Sequence, residues 1–214
     1  MTAVPQKKLT EAEYLAIENA AEFKSEFYRG VMYPLHRDEV TGMAGASPQH
    51  NRVRENLTIK IGSQLFDLPC QSFSSDQRVR LTLSGMYAYP DIVIVCDRPQ
   101  YAEDDPNTLC NPQIVIEVLS PSTERYDRGF KFAQYRQQPT LREYILVSQD
   151  EMRIEQYVRQ ADNTWNFAEF TDPSAEFALA TAPARVALAD VYRNVEFPMT
   201  SELGSLPISR GSFR

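Results

Sequence analysis

The chain has 214 residues, 43% hydrophobic and 24% charged, enough for one domain whose core needs no covalent staples. Its formal charge of −7 argues against a protein that coats nucleic acid through many lysine– and arginine–phosphate contacts. It leaves room for an enzyme that meets phosphate through bound metal and a local basic patch, such as Arg52, Arg54, Lys60, Arg78 and Arg80.

Residues 1–8 lack the apolar stretch of a secretory signal, and no apolar run approaches the roughly 18 residues of a membrane span. Cys70, Cys96 and Cys110 are odd in number and form no C-x-x-C pair, so reduced thiols in a cytoplasmic protein are expected. Thr10-Glu11-Ala12-Glu13 has the form of a capping box and opens a helix that should run to about residue 21. Residues 25–34 alternate around Arg29-Gly30, which predicts a tight hairpin carrying Glu26. Residues 41–47 are small and Gly-containing, a loop. Ser47-Pro48 then caps a helix with Val53, Leu57, Ile61 and Leu65 at spacing four.

Residues 78–83 alternate as a half-buried strand. Residues 89–95 and 114–119 are almost wholly apolar, as central strands are. The proline-containing loop between them should return the chain antiparallel. Asp127 reads as the N-cap of a helix over residues 128–138, stopped by Pro139. Strands follow at 144–148, 152–159 and 165–170, whereas 178–192 is ambiguous. The expected fold is α/β, a mixed sheet flanked by helices, as one domain over residues 1–198 with a loose tail at 199–214.

Chemistry enters with two carboxylates set in apolar strands: Asp91 in Y-P-D-I-V-I-V and Glu117 in I-V-I-E-V-L-S. A buried charge needs a partner, and a divalent cation is a strong one. If the two strands are adjacent, both carboxylates reach one end of the sheet, where a cation between them would relieve their repulsion. Oxygen ligands suit Mg²⁺ or Mn²⁺, which activates water and binds a phosphate oxygen. Lys131 would position that water or offset charge on phosphorus, and Gln134 and Tyr135, at i+3 and i+4, could touch the backbone of a substrate. A solvated lysine and an Asp91 that merely caps a loop amide are the plainer alternatives. His50 is held as a minor candidate, and His36 has no partner in the sequence.

Read together, Y-P-D-I-V-I-V, I-V-I-E-V-L-S-P-S-T, Y-D-R-G-F-K-F-A-Q-Y-R and L-R-E-Y-I-L-V-S-Q resemble a restriction-endonuclease-like family abundant in cyanobacteria, a branch of the PD-(D/E)xK nucleases. The resemblance implies a restriction-endonuclease-like core, a divalent metal and DNA as substrate. It matches Asp91 and Glu117 to the family's metal-binding acids, and Glu26 to an acid that can add to the metal site. The superfamily formula departs at Leu119, where a lysine is usual; the resemblance implies that Lys131 on the following helix replaces it. A Mg²⁺-dependent DNA endonuclease, able to work as a homodimer, is the leading expectation. A non-catalytic binding protein on the same fold and a metal-dependent hydrolase of small phosphate esters stand beside it.

Overall fold

The computed structural model describes residues 8–35 and 46–198. His36, most of the loop expected at 41–47 and the tail at 199–214 lie outside them. The capping box forms as expected: Glu13 N–H donates to Thr10 Oγ1 at 3.1 Å and Thr10 N–H to Glu13 Oε2 at 2.8 Å. The helix it opens, α1 (Glu11–Glu18), is shorter than the sequence suggests. A hairpin follows, β1 (Ser25–Tyr28) and β2 (Val31–Pro34). Its two turn residues both take positive φ, Arg29 at 48° and Gly30 at 88°. That is the conformation a two-residue hairpin needs to follow the twist of its strands. At Gly30 a Cβ would come within 2.6 Å of Lys8 Cβ, so the position requires glycine on space as well as on angle.

Helix α2 (Pro48–Leu65) is capped by Ser47, whose Oγ accepts His50 N–H at 3.0 Å. All four residues of its apolar stripe are buried. Then come β3 (Cys70–Ser74), β4 (Arg78–Leu81), β5 (Met86–Ala88), β6 (Ile92–Cys96), β7 (Thr108–Leu109) and β8 (Ile114–Leu119). A helical segment, β9 (Glu143–Ser148), β10 (Ile154–Arg159) and β11 (Trp165–Phe170) complete the main body. The ambiguous stretch resolves into a small hairpin, β12 (Glu176–Ala178) and β13 (Arg185–Ala187), and a short helix, Leu188–Val191.

The architecture is α/β, with β1 to β11 divided between two sheets and β12 and β13 forming a two-stranded sheet of their own. One has the order β2-β1-β5-β4-β7 and the other β11-β10-β9-β8-β6-β3. In the larger sheet β8 and β9 run parallel and every other neighbouring pair antiparallel. Strand alternation then assigns the layers. Ile92, Ile94, Ile114, Ile116 and Val118 pack with the α2 stripe. Val93, Val95, Val115 and Leu119 pack toward the smaller sheet, with Val79, Leu81, Met86 and Ala88. Asp91 and Glu117 have the parity of this second set, so the acids belong to the layer between the sheets.

The thiol expectation is corrected. Cys70 and Cys96 face each other across β3 and β6 and form a disulfide, leaving Cys110 as the free cysteine. The spacing of 26 residues carries no sequence signal; antiparallel register creates the pair. Thiol titration of the denatured protein without reductant is expected to find one thiol per chain, and three after reduction. Three without reductant would show that the bridge does not form in solution.

Candidate active site

The site begins with the pairing of β6 and β8. Ile92 stands opposite Ile116, so Asp91, one residue before β6, comes level with Glu117. Asp91 Oδ2 accepts Val118 N–H at 2.8 Å, and Asp91 N–H lies 3.4 Å from Glu117 Oε2. Glu26 approaches from β1 in the other sheet. Lys131 enters from the helical segment that follows β8.

That segment departs from the expected single helix. It starts earlier, as α3 (Glu124–Tyr126), widens into a π-helical turn over Asp127–Lys131, and closes as α4 (Phe132–Tyr135). Phe132 N–H reaches back five residues to the Asp127 carbonyl, which also accepts Tyr144 O–H at 3.1 Å. Asp127 is therefore a buried member of the site instead of an N-cap. Its carboxylate faces Lys131 Nζ at 3.6 Å.

Lys131 is the hub. Nζ lies 2.9 Å from Glu117 Oε1 and 3.2 Å from Glu26 Oε1. Glu26, Glu117, Asp127 and Lys131 are each 5% exposed or less. Tyr126 O–H donates to Glu26 Oε2 at 2.8 Å and holds that carboxylate in place. His50 Nε2, on the first turn of α2, is 3.3 Å from Asp91 Oδ2.

The two residues expected to contact substrate are both buried. Tyr135 is fully buried against Tyr144, with ring centroids 5.4 Å apart. Gln134 is buried too, and its Oε1 faces Gln137 Nε2 at 3.5 Å. The basic patch is largely spent on acids: Arg78 pairs with Asp105, Arg80 with Glu11 and Lys60 with Asp190. The sequence reading missed Asp127 and Tyr126 as site residues. Asp127 carried a usable signal, an acid four residues before Lys131.

Electrostatics sorts the groups. Burial pushes the Glu117 carboxyl well above the usual carboxylate range; Lys131 opposes this, and Asp127 and Asp91 add to it. Asp127 is also raised, chiefly by burial against the pull of Lys131. For Asp91 burial acts upward, but His50, Val118 N–H and Lys131 together hold it below its ordinary value. Burial acts to lower Lys131, yet Glu117, Glu26 and Asp127 raise it well above its ordinary value, so the ammonium is charged at neutral pH.

Three carboxyl groups thus meet one lysine and a fourth, Asp91, stands against His50, so the acids outnumber the basic groups by two. Among the described residues, Glu26 Oε1 and Glu117 Oε1, both buried, receive no hydrogen bond of good geometry. Among the described residues no group of three or more His, Cys, Asp or Glu forms a metal cage. The donor set fits the other way of holding Mg²⁺, on one or two carboxylates with several waters, through Asp91 and Glu117.

A family model described as "Putative restriction endonuclease", named Uma2, matches residues 12–189. The chain belongs to the Uma2 family. An uncharacterized Synechocystis protein, sll1609, is 35% identical over 176 residues, covering 82% of this chain and 95% of its own. A second uncharacterized Synechocystis protein, slr1290, is 30% identical over 197 residues, covering 91% of this chain and 97% of its own. The fold is shared with a crystal structure described as a putative nuclease of DUF820 from Anabaena variabilis. The TM-score is 0.67 at 18% identity, covering 86% of this chain and 97% of that one. The restriction-endonuclease-like fold expected from the sequence is therefore present in this Uma2 protein, and its site residues lie within the matched span.

Proposed function

We propose that this Uma2 protein is a divalent-metal-dependent endonuclease that hydrolyses phosphodiester bonds in DNA. The observation that carries the reading is the surplus of buried carboxyl groups around a single lysine where β6 begins and β8 ends. A purely structural cluster is better balanced, because each unpaired buried charge costs stability.

Asp91 and Glu117 would hold Mg²⁺ or Mn²⁺, with Glu26 adding through the face it shares with Lys131. When bound, the cation would lower the pKa of its water and draw charge from a phosphate oxygen. Lys131, kept charged by its three acids, serves as a hydrogen-bond donor: it orients the attacking water or meets charge developing on phosphorus, and does not act as a base. Glu117 Oε2 faces the Asp91 N–H, which ties the two acids to one geometry. Asp91 and His50 are partly open, with side chains 16% and 12% exposed, whereas Glu26, Glu117, Asp127 and Lys131 are buried, so substrate approaches from the side of the first two. A cytoplasmic location and a homodimer that cuts both strands accompany this reading. Among the described residues no helix is long and apolar enough to cross a membrane.

Lys131 itself favours a second reading. A lysine already paired with three acids can act as a permanent counter-ion, as a non-catalytic protein on this fold would use it. Supercoiled plasmid incubated with Mn²⁺ separates the two. The wild-type protein is expected to nick it and Asp91→Ala to leave it intact. Equal nicking by both would mean contamination. A wild-type protein that spares plasmid but cleaves a small phosphodiester would place it among small-ester hydrolases.

A further inference from the structure

We infer that His50 is a positioning residue for Asp91, fixing the rotamer in which this carboxylate presents its free oxygen to a divalent cation. The inference rests on the metal-dependent reading above. Asp91 Oδ2 is engaged on both sides, by Val118 N–H at 2.8 Å and by His50 Nε2 at 3.3 Å. That leaves Oδ1 as the oxygen that would meet a cation. Either contact alone would hold the oxygen; the two together, from different elements, hold the plane of the carboxylate.

His50 is well placed for this work because its backbone is anchored on Ser47, which is itself held by Gln149. Its N–H donates to Ser47 Oγ at 3.0 Å, and Ser47 O–H donates to Gln149 Oε1 at 2.9 Å, just beyond the end of β9. The chain of contacts Gln149–Ser47–His50–Asp91 therefore links the N-terminus of α2 to the sheet end that bears the site. Nδ1 of the same ring is buried without a hydrogen-bond partner among the described residues. A surface histidine would keep that nitrogen in water, and a core histidine would satisfy it. His50 does neither, as expected of a ring placed for the sake of its other nitrogen. Because the ring donates through Nε2, its loss acts on Asp91 and leaves Glu117 and Lys131 in place.

Mn²⁺ binding, followed by the electron paramagnetic resonance signal of the free ion, tests this without cleavage. Removal of a residue that orients a metal ligand typically weakens affinity by about 10–100-fold. His50→Ala is expected to fall in that range. His50→Gln, whose amide nitrogen can reach the place of Nε2, should return to within about threefold of wild type, whereas His50→Asn, which reaches only the place of Nδ1, should not. The Gln and Asn variants both keep a polar side chain at the helix start, so their difference reads positioning apart from folding. Wild-type affinity in His50→Ala, or equal weakening in Gln and Asn, would overturn the role of His50 and leave the metal reading standing. If the wild-type protein binds no Mn²⁺ up to millimolar levels, the metal reading falls and this inference with it.

Discussion

Lys131→Met is expected to cost about 3–5 kcal/mol of stability at pH 8, because removing one partner of a buried ion pair leaves the other uncompensated. Here Glu26, Glu117 and Asp127 lose their shared cation at once. For a chain of this size that corresponds to a fall in Tm of roughly 6–20 °C. The sign of the pH dependence follows from the acids. Glu117 and Asp127 already titrate above their ordinary values in the folded protein. A raised carboxyl contributes stability below its unfolded pKa and loses it as pH rises through its folded pKa. Without Lys131 both are raised further, so the deficit should be small near pH 5 and grow toward pH 8. Lys131 itself, raised above 10.5, stays charged throughout that window. Thermal melts at the two pH values check this; an equal fall at both would mean lost packing rather than lost charge. Loss of cleavage in a lysine variant is therefore evidence for catalysis only where the variant is shown to be folded.

Glu117→Gln should act in the opposite direction on stability. Burial is the main cause of its raised pKa, so above its unfolded pKa near 4.5 the acid increasingly costs the fold what the amide does not. Lys131 keeps Glu26 and Asp127 as partners at 3.2 and 3.6 Å. The variant is expected to melt above wild type at pH 8, to differ little from it near pH 4.5, and to lose Mn²⁺ binding together with about a thousandfold in nicking rate. The last figure takes several kcal/mol for metal-assisted charge stabilisation at about 1.4 kcal/mol per tenfold. A Tm below wild type at pH 8 would overturn the charge argument, and unchanged Mn²⁺ affinity would remove Glu117 from the metal site. Such a gain of stability on loss of function is characteristic of residues retained for chemistry.

Most elements were legible because their signals are local. The capping box of α1, the Ser47 cap and four-residue stripe of α2, and the apolar runs of β6 and β8 each depend on neighbours along the chain. The same holds for Asp91 and Glu117, which stand out as acids in aliphatic surroundings. The short strands β3 and β5 were not legible. Residues 70–74 and 86–88 have little alternation of their own, and become strands because β6 and β4 offer them ladders. The π turn was equally hidden. Its distinguishing bond, from Phe132 to Asp127, has the buried Tyr144 hydroxyl as a second partner on the same carbonyl, and Tyr144 lies on β9.

By itself the sequence determined an α/β protein with two acids on apolar strands and a lysine on the next helix, since these follow from periodicity and from the cost of burying charge. Tertiary structure alone decided that Glu26 and Asp127 join that lysine, that His50 meets Asp91, that Tyr135 is core, and that Cys70 and Cys96 pair. Each of these contacts joins residues whose distance is set by strand register, by the packing of one sheet on the other or by a local widening of the helix, and none of those quantities is written in the spacing of the residues concerned.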